Sequence, residues 1–447
     1  MHWKALAEAD SHLAARAASD DRLLELVWSP SSRCVAYVRA RQFNKEPKPV
    51  IEAVGLTGAA PTVIVDDPHL LQESGYPALG WAADGRLVFG LAEWPPRESG
   101  TTLYSIWVDP NRGLATSRAT LLGSWRSVIS ENLGTSARGD LAFVKFSGQN
   151  DVYFADFDQN EKKLGMLRRL TLTERDERPT AWTQDGKSIV FMSNQNGGQH
   201  IFIQNVSSSE AQMITSGTAW NTWARFTRNG FLLFWQLSAG ATSDPIQPVL
   251  MSLQLPGGTP HAVLTAGKPA PLPLYSRPPP RNTQFRCPAV SGSCLLGELD
   301  GDELHLSSFD PSHGRGPELL RISIKPSPWF IDWDLSPDGT RVALPRWDGQ
   351  VRVVDLSSQN TADLPIDRNC NVQSVSWNPA ATGIFASAAC PGKRAYKLFF
   401  LEINGASHLL YDSPNEWISS PVPSPDGSRL AFALKPQQAD VWLLEKF

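Results

Sequence analysis

Short apolar runs alternate with turn-forming clusters along nearly the whole chain, and one unit recurs. A strand-like stretch, often ending in Trp, meets a Ser-Pro-Asp-Gly-type turn and then a second apolar strand. The clearest copies are Trp333-Asp334-Leu335-Ser336-Pro337-Asp338-Gly339 into Val342-Ala343-Leu344, and Val422-Pro423-Ser424-Pro425-Asp426-Gly427 into Leu430-Ala431-Phe432. Weaker copies begin at Trp28-Ser29-Pro30, Trp81, Trp182, Phe226 and Trp377-Asn378-Pro379, and degenerate ones lie at Ser136–Gly139 and around Ser291-Gly292-Ser293. In such a turn Pro pre-sets the first position, Asp bonds the backbone two residues on, and Gly takes the positive φ. Alternating runs such as Gln199–Ile203 and Val351–Val354 supply a third strand. Ala211–Thr215 and His408–Tyr411 supply a fourth.

The spacing sets the class. Gly139 to Gly186 is 47 residues, and Gly186 to Gly230, Gly339 to Gly383 and Gly383 to Gly427 are 44 each. Periods of roughly 40–50 residues with several short strands read as propeller blades. Nine signatures, near residues 30, 84, 138, 185, 229, 292, 338, 382 and 426, predict an all-β chain. The expectation is a single β-propeller of eight or nine four-stranded blades over residues 22–447. Closed propellers usually have about four to eight blades, so nine strains the pattern. The last copy has room for only three strands before Phe447, so its outer strand is missing or comes from N-terminal residues. Met1 to Asp21, with Trp3, Leu6, Leu13 and Ala17 at helical spacing, reads as a short helix and a linker remnant. Gly257 to Arg281, rich in Pro, reads as an extended surface loop.

At these residues the chain resembles the TolB-like (WD40-like) propeller repeats of bacteria. The likeness extends to the C-terminal sensor propellers of receptor-type Ser/Thr kinases and winged-helix regulators. It is carried by Leu170–Arg175 with Pro179–Trp182, by Asp332–Gly339, and by Val422–Gly427 through Val441–Phe447. The resemblance implies a sensing or protein-interaction module of a signalling protein, fused to or associated with a kinase or a transcriptional regulator. The kinase signatures themselves do not occur in this sequence.

Composition narrows the functions. Lys plus Arg is 41 against 45 Asp plus Glu, a net charge of −4, so no basic field is offered to nucleic acid. Hydrophobic residues make up 41%, with 16 Trp, enough apolar surface for a packed core rather than disorder. No apolar run approaches the roughly 20 residues of a membrane helix, and Met1 to Asp10 lacks an apolar signal core.

Catalytic patterns are weak. Gly134-Thr135-Ser136-Ala137-Arg138 fails as a nucleophile elbow because its last position is Arg. Asp300, Asp302 and Glu303 read as a solvated turn, and Asp332 and Asp334 as strand-edge acids around Trp333. The eight His are scattered singly, so neither a metal nor another cofactor is expected. The enzymatic alternative is a hydrolase or lyase working from the propeller face, and it would require a convergent acid–base pair there.

The cysteines say more. Cys287 and Cys294 flank one hairpin turn, and Cys370 and Cys390 flank another at nearly equal distances. Each pair should therefore sit within bridging distance across antiparallel strands, leaving Cys34 over. The bland alternative is four small buried apolar residues. Bridging would point to an oxidising compartment such as the periplasm, and free thiols to the cytoplasm.

Among the aromatics, Trp28, Trp81, Trp182, Trp333 and Trp377 end innermost strands, where packing between blades accounts for them. A second group, Trp220, Trp223, Trp329, Phe330 and Trp417, precedes or opens innermost strands. With Arg175, Arg178, Arg225, Trp347, Lys393 and Arg394 it marks one propeller face as the candidate site for a protein or small-molecule ligand.

Overall fold

The computed structural model describes residues 2–3, 12–13, 16–19, 21–41, 48–56, 60–70, 77–93, 100–125, 128–195, 198–237, 248–267, 283–325, 332–391 and 395–447. The chain is all-β, and the blade-type sheets predicted by the nine signatures are present: six four-stranded, one five-stranded and one seven-stranded. Their grouping differs from a single body over residues 22–447. The described residues up to Ser147, with Gln438–Phe447, form one compact unit, and those from Gly148 to Gln437 form a second.

The second unit is a ring of six blades, within the usual range for closed propellers. The first blade runs Glu177–Trp182, Ser188–Ser193, His200–Asn205 and Ala211–Met213. The second runs Trp220–Phe226, Phe231–Leu237, Val249–Gln254 and His261–Thr265. The third runs Thr283–Arg286, Cys294–Asp300, Glu303–Asp310 and Gly314–Ser323. The fourth runs Asp334–Leu335, Arg341–Pro345, Gln350–Asp355 and Thr361–Pro365. The fifth runs Asn371–Trp377, Gly383–Cys390, Ala395–Glu402 and Ser407–Ser413. The sixth is a clasp. Its inner strands, Glu416–Pro423 and Arg429–Pro436, come from the far end of this unit, and Asp151–Asp158 with two short outer strands comes from its beginning. The ring closes where Trp182 Nε1 of the first blade donates to Val422 O of the sixth at 2.9 Å.

The other unit holds the sheet Arg22–Trp28, Cys34–Arg41, Lys48–Gly55, Thr62–Asp66 and the sheet Leu79–Trp81, Arg86–Glu93, Gly100–Trp107, Thr120–Trp125. Its third sheet has the strands Val128–Thr135, Leu141–Ser147 and Gln438–Leu444. It joins the second through one parallel bridge, Asn132 to Leu79. The third strand Asp151–Asp158 of the sixth blade and the terminal strand Gln438–Leu444 have thus exchanged places relative to chain order.

The expected N-terminal helix is corrected. His2–Trp3 pairs antiparallel with His12–Leu13, and Leu6 lies outside the described residues. Four apolar residues at helical spacing do not secure a helix, because one this short is marginal without a packing partner. The expected loop Gly257–Arg281 is corrected in its first part, where His261–Thr265 is the second blade's outer strand; residues 268–281 lie outside the described set.

The signature turn is held by its own residues. In the fourth blade Ser336 Oγ donates to Asp338 Oδ1 at 2.5 Å, Thr340 N donates to the same oxygen at 3.0 Å, and Gly339 N closes on Ser336 O at 2.8 Å. In the sixth, hydrogen bonds from Ser424 and Ser428 hold the Asp426 carboxyl down to about 2. The Arg two residues after the Gly then locks the neighbouring blade. Arg341 lies over Trp377 at 4.8 Å and donates to Ala381 O at 3.0 Å. Arg429 lies over Trp182 at 5.1 Å and donates to Gly186 O at 2.7 Å. Trp81, Trp182, Trp333 and Trp377 are buried as packing residues, whereas Trp28 is 48% exposed.

Gly339 has φ 75°, and a Cβ there would lie 2.8 Å from Ser291 O of the third blade. Gly339→Val therefore meets backbone strain and a backbone oxygen together. A loss of about 1–3 kcal/mol is expected in urea unfolding. Gly427→Val, with φ 71° but only the flexible end of Gln159 in the way, should cost less. Equal, negligible losses would show that the turn tolerates a side chain.

Candidate functional site

The two ends of the ring are chemically different. One carries the signature turns, which are committed to joining blades. The other carries the loops before the innermost strands and the hairpins between second and third strands. Four predicted residues map to this second end. Arg175 precedes the first blade and is half-buried, Trp220 opens the second blade, Trp347 sits in the second-to-third hairpin of the fourth, and Trp417 opens the sixth. Trp347 is 40% exposed, and Trp417 is half-buried with its ring 5.4 Å from Tyr396. Loops on a rigid scaffold are where recognition is usually placed.

Other predicted residues are placed differently. Trp329, Phe330, Lys393 and Arg394 lie outside the described residues. Arg178 is not a surface residue. It is buried, its Nε 3.3 Å from Asp176 Oδ1, because it follows Glu177 into the innermost strand rather than staying in the loop. Trp223 occupies a bulge in the second blade's innermost strand with φ 54°, and it packs, partly buried, against an apolar cluster drawn from the first and second blades, including Val190, Ile201, Leu232 and Phe234.

Beside Arg178 lies a carboxylate group that the sequence did not announce. Glu177 Oε1 accepts from Thr173 Oγ1 at 2.9 Å and Ser193 Oγ at 3.2 Å, and burial pushes its pKa up. Asp176 accepts from Asn150 Nδ2 at 2.7 Å, and despite burial the charges of Arg178 and Lys435 hold its pKa down. Two carboxyls with opposed proton affinities can mark an acid–base pair. Here Glu177 is 1% exposed and packed between the sixth and first blades, so it has no substrate face.

The strand-edge reading of Asp332 and Asp334 is also corrected. Both are buried, and Arg286 of the third blade binds them: Nη2 to Asp332 Oδ1 at 2.9 Å and Nε to Asp334 Oδ1 at 3.0 Å. The other Asp334 oxygen accepts from Trp377 N of the fifth blade at 2.9 Å. The Arg286 guanidinium lies 5.3 Å from the centre of the Trp333 ring. The solvated reading of Asp302 and Glu303 holds: both are exposed, and Asp302 pairs with Lys325 at 2.8 Å. A charged residue alternating with Trp in an innermost strand was the available signal for the buried cluster.

Both cysteine pairs are bridged, Cys287–Cys294 and Cys370–Cys390, each with a Cα separation of 4.1 Å. Cys34 is free and buried, its thiol pKa raised by burial and by Asp109. Among the described residues no group of three His, Cys, Asp or Glu could hold a metal ion, and no helix is long and apolar enough to cross a membrane.

No protein-family model and no curated protein matches the sequence. Among solved structures the chain is similar to a putative TolB from Agrobacterium tumefaciens, at 14% identity and a TM-score of 0.45, over 65% of this chain and 99% of that one. It is similar to TolB from Acinetobacter baumannii at 15% identity and a TM-score of 0.41, over 80% and 81% of the two chains. An oligogalacturonate lyase from Vibrio parahaemolyticus matches at 12% identity and a TM-score of 0.38, over 63% and 78%. These are likenesses of fold.

Proposed function

We propose that the six-blade ring is a non-catalytic binding module whose recognition surface is the end carrying Arg175, Trp220, Trp347 and Trp417. The observation that carries this reading is the contrast among tryptophans. Those at the signature turns of the ring are buried under the neighbouring blade, while Trp347 stands 40% exposed on a hairpin at the opposite end. Large amphipathic rings presented from rigid hairpins, with an arginine nearby, are the usual anchors of protein interfaces. A signalling role, with the ring reporting occupancy to an attached kinase or regulator, is the finer form of the same proposal. The hydrolase or lyase alternative gains no support from Glu177, which is 1% exposed.

The test compares Trp347→Ala and Trp417→Ala with the unaltered chain. Partners retained by the immobilised protein are identified, and the affinity for the strongest is then measured. Each substitution should weaken binding by about 2 kcal/mol or more, with unchanged circular dichroism and melting temperature. Undiminished affinity in both variants would remove this end of the ring as the binding surface.

A further inference from the structure

Five acidic side chains are buried among the described residues, and four of them are bound by an arginine. Glu52 pairs with Arg39 at 2.9 Å, Asp151 with Arg169 at 2.9 Å, and Asp332 and Asp334 with Arg286. Glu177 is the exception. It is the most deeply buried of the five, and among the described residues it forms no ion pair. Its Oε1 accepts from the hydroxyls of Thr173 and Ser193, and its Oε2, shut off from solvent, has no hydrogen-bond partner. An anion without a cation is costly to hold in such a place, whereas a carboxylic acid is not. The surrounding hydroxyls suit the neutral form, because a hydroxyl accepts a hydrogen bond as well as donating one.

Glu177 opens the innermost strand of the first blade, at the seam where the ring closes. Its backbone N donates to Asn150 O at 2.7 Å, just before the strand Asp151–Asp158 that the beginning of this unit lends to the sixth blade. Thr173 lies in the connection between that strand's blade and the first. In the same connection Thr171 Oγ1 accepts from Val152 N at 3.0 Å. Ser193 ends the first blade's second strand. One residue thus ties together the pieces of chain that close the ring. We propose that Glu177 is a proton-operated latch: as a neutral acid it holds the seam between the sixth and first blades shut, and as an anion it loosens that seam.

The neighbouring groups leave the proton its place. Burial raises the Glu177 pKa above the ordinary 4.5, and the Asp151 charge on the sixth blade pushes the same way against the pull of the hydroxyls. In the connection, the charges of Arg178 and Lys435 act on Asp176. Glu416 of the sixth blade accepts from Tyr411 and Ser413. His200, in register with Ser193 on the first blade, has its pKa lowered by burial, so it supplies no cation at neutral pH. The second blade presents neutral Asn221 to His200, and its half-buried Arg225 feels Arg286, Asp332 and Asp334. A proton held more tightly by the folded chain stabilises it fully below pH 4.5, and that stabilisation is lost as pH rises through the raised value. The lowered pKa of His200 works in the opposite sense, stabilising the fold above 6.5 and less as pH falls. The difference between the unaltered chain and Glu177→Gln at each pH therefore isolates the latch. Arg175 lies between Thr173 and Asp176, so the latch also governs the recognition end; that consequence rests on the function proposed for that end, whereas the latch does not.

The test follows the purified full chain, without any ligand, from about pH 5 to about pH 9. Infrared absorption reads the carboxyl, and amide hydrogen exchange, corrected for its intrinsic pH dependence, reads the seam. A protonated carboxyl band should persist at about pH 6, where ordinary carboxyls are ionised, and vanish at higher pH. Over the same range, protection of the Glu177 and Val152 amides should fall by up to about tenfold per pH unit. Amides of the fourth blade, in the ladder of Arg341–Pro345 with Gln350–Asp355, should stay level. Glu177→Gln keeps the shape and cannot ionise, so it should lack the band and hold seam protection constant. Asp151→Asn removes the neighbouring negative charge and should move the decline to lower pH, which keeps the test decisive if Glu177→Gln does not fold. The latch is overturned by the absence of a protonated carboxyl above about pH 6, by a carboxyl that titrates without loss of seam protection, or by an unchanged decline in either variant.

Discussion

Arg286→Ala is expected to lower the stability of the ring by about 3–5 kcal/mol, the loss typical of removing one partner from a buried ion pair. The large value follows from what stays behind. Asp332 and Asp334, each buried, keep their charge or take up a proton at a cost, because the guanidinium that bound both is gone. Asp334 also accepts from Trp377 N, so its disturbance reaches the fifth blade. The face of Trp333, itself fully buried, loses the cation 5.3 Å from its centre. Urea unfolding of the single variant measures the loss. Adding Asp332→Asn and Asp334→Asn to Arg286→Met should recover part of it, because neutral groups remove the uncompensated charge. A loss below about 1 kcal/mol for Arg286→Ala would mean that water already screens the cluster.

The turns and the cysteines were legible because their evidence is local. A Ser, an Asp and a Gly at fixed offsets dictate one turn, and positive φ at Gly339 and Gly427 is its direct consequence. The partition into two units was hidden for a physical reason. After the signature near Ser136 the chain offers Asp151–Asp158 as the next strand, and after the signature at Asp426 it offers Gln438–Leu444. In the structure each pairs with the other's sheet: Asp151–Asp158 with Arg429–Pro436, and Gln438–Leu444 with Leu141–Ser147. The two strands are similar in length, and each follows its predecessor after a short connection. Neither pattern nor loop length separates the exchanged pairing from the sequential one. The exchange is also what reduces nine signatures to a six-blade ring and a separate set of sheets.

The site was legible only in part, and for a related reason. Trp347 and Trp417 stood out because large aromatics depart from the repeat at a predictable end of the blade. Arg178, Asp332 and Asp334 were misplaced because a lone charge in a strand ordinarily signals an exposed edge. Asp332 and Asp334 are buried because they find a partner remote in sequence, Arg286, 46 residues before Asp332, whereas Arg178 is buried beside Asp176, two residues away. Remote pairs appear only once blades are set side by side.

Reduction of the two disulfides should be the second large effect, and it should be unequal. Cys370–Cys390 spans 20 residues and Cys287–Cys294 spans seven. Loop-closure entropy, acting on the unfolded chain, assigns about 3 kcal/mol to the longer bridge and about 2.5 kcal/mol to the shorter. Each bridge also continues a ladder by one step. Cys370–Cys390 follows the pair Asn371–Ala389, and Cys287–Cys294 follows Arg286–Leu295. The shorter bridge therefore pins the strand that carries Arg286, so opening it should loosen the ion cluster beyond what loop entropy predicts. Melting with and without reductant, in the Cys370→Ser/Cys390→Ser and Cys287→Ser/Cys294→Ser double variants, separates the two contributions. Thiol titration of the unfolded, non-reduced chain should find a single reactive group, Cys34. Five titratable thiols in protein isolated without reductant would overturn the bridges and the oxidising compartment they favour. Bridges that form, yet whose loss leaves the melting temperature unchanged, would show that the blades already hold these strand ends without them.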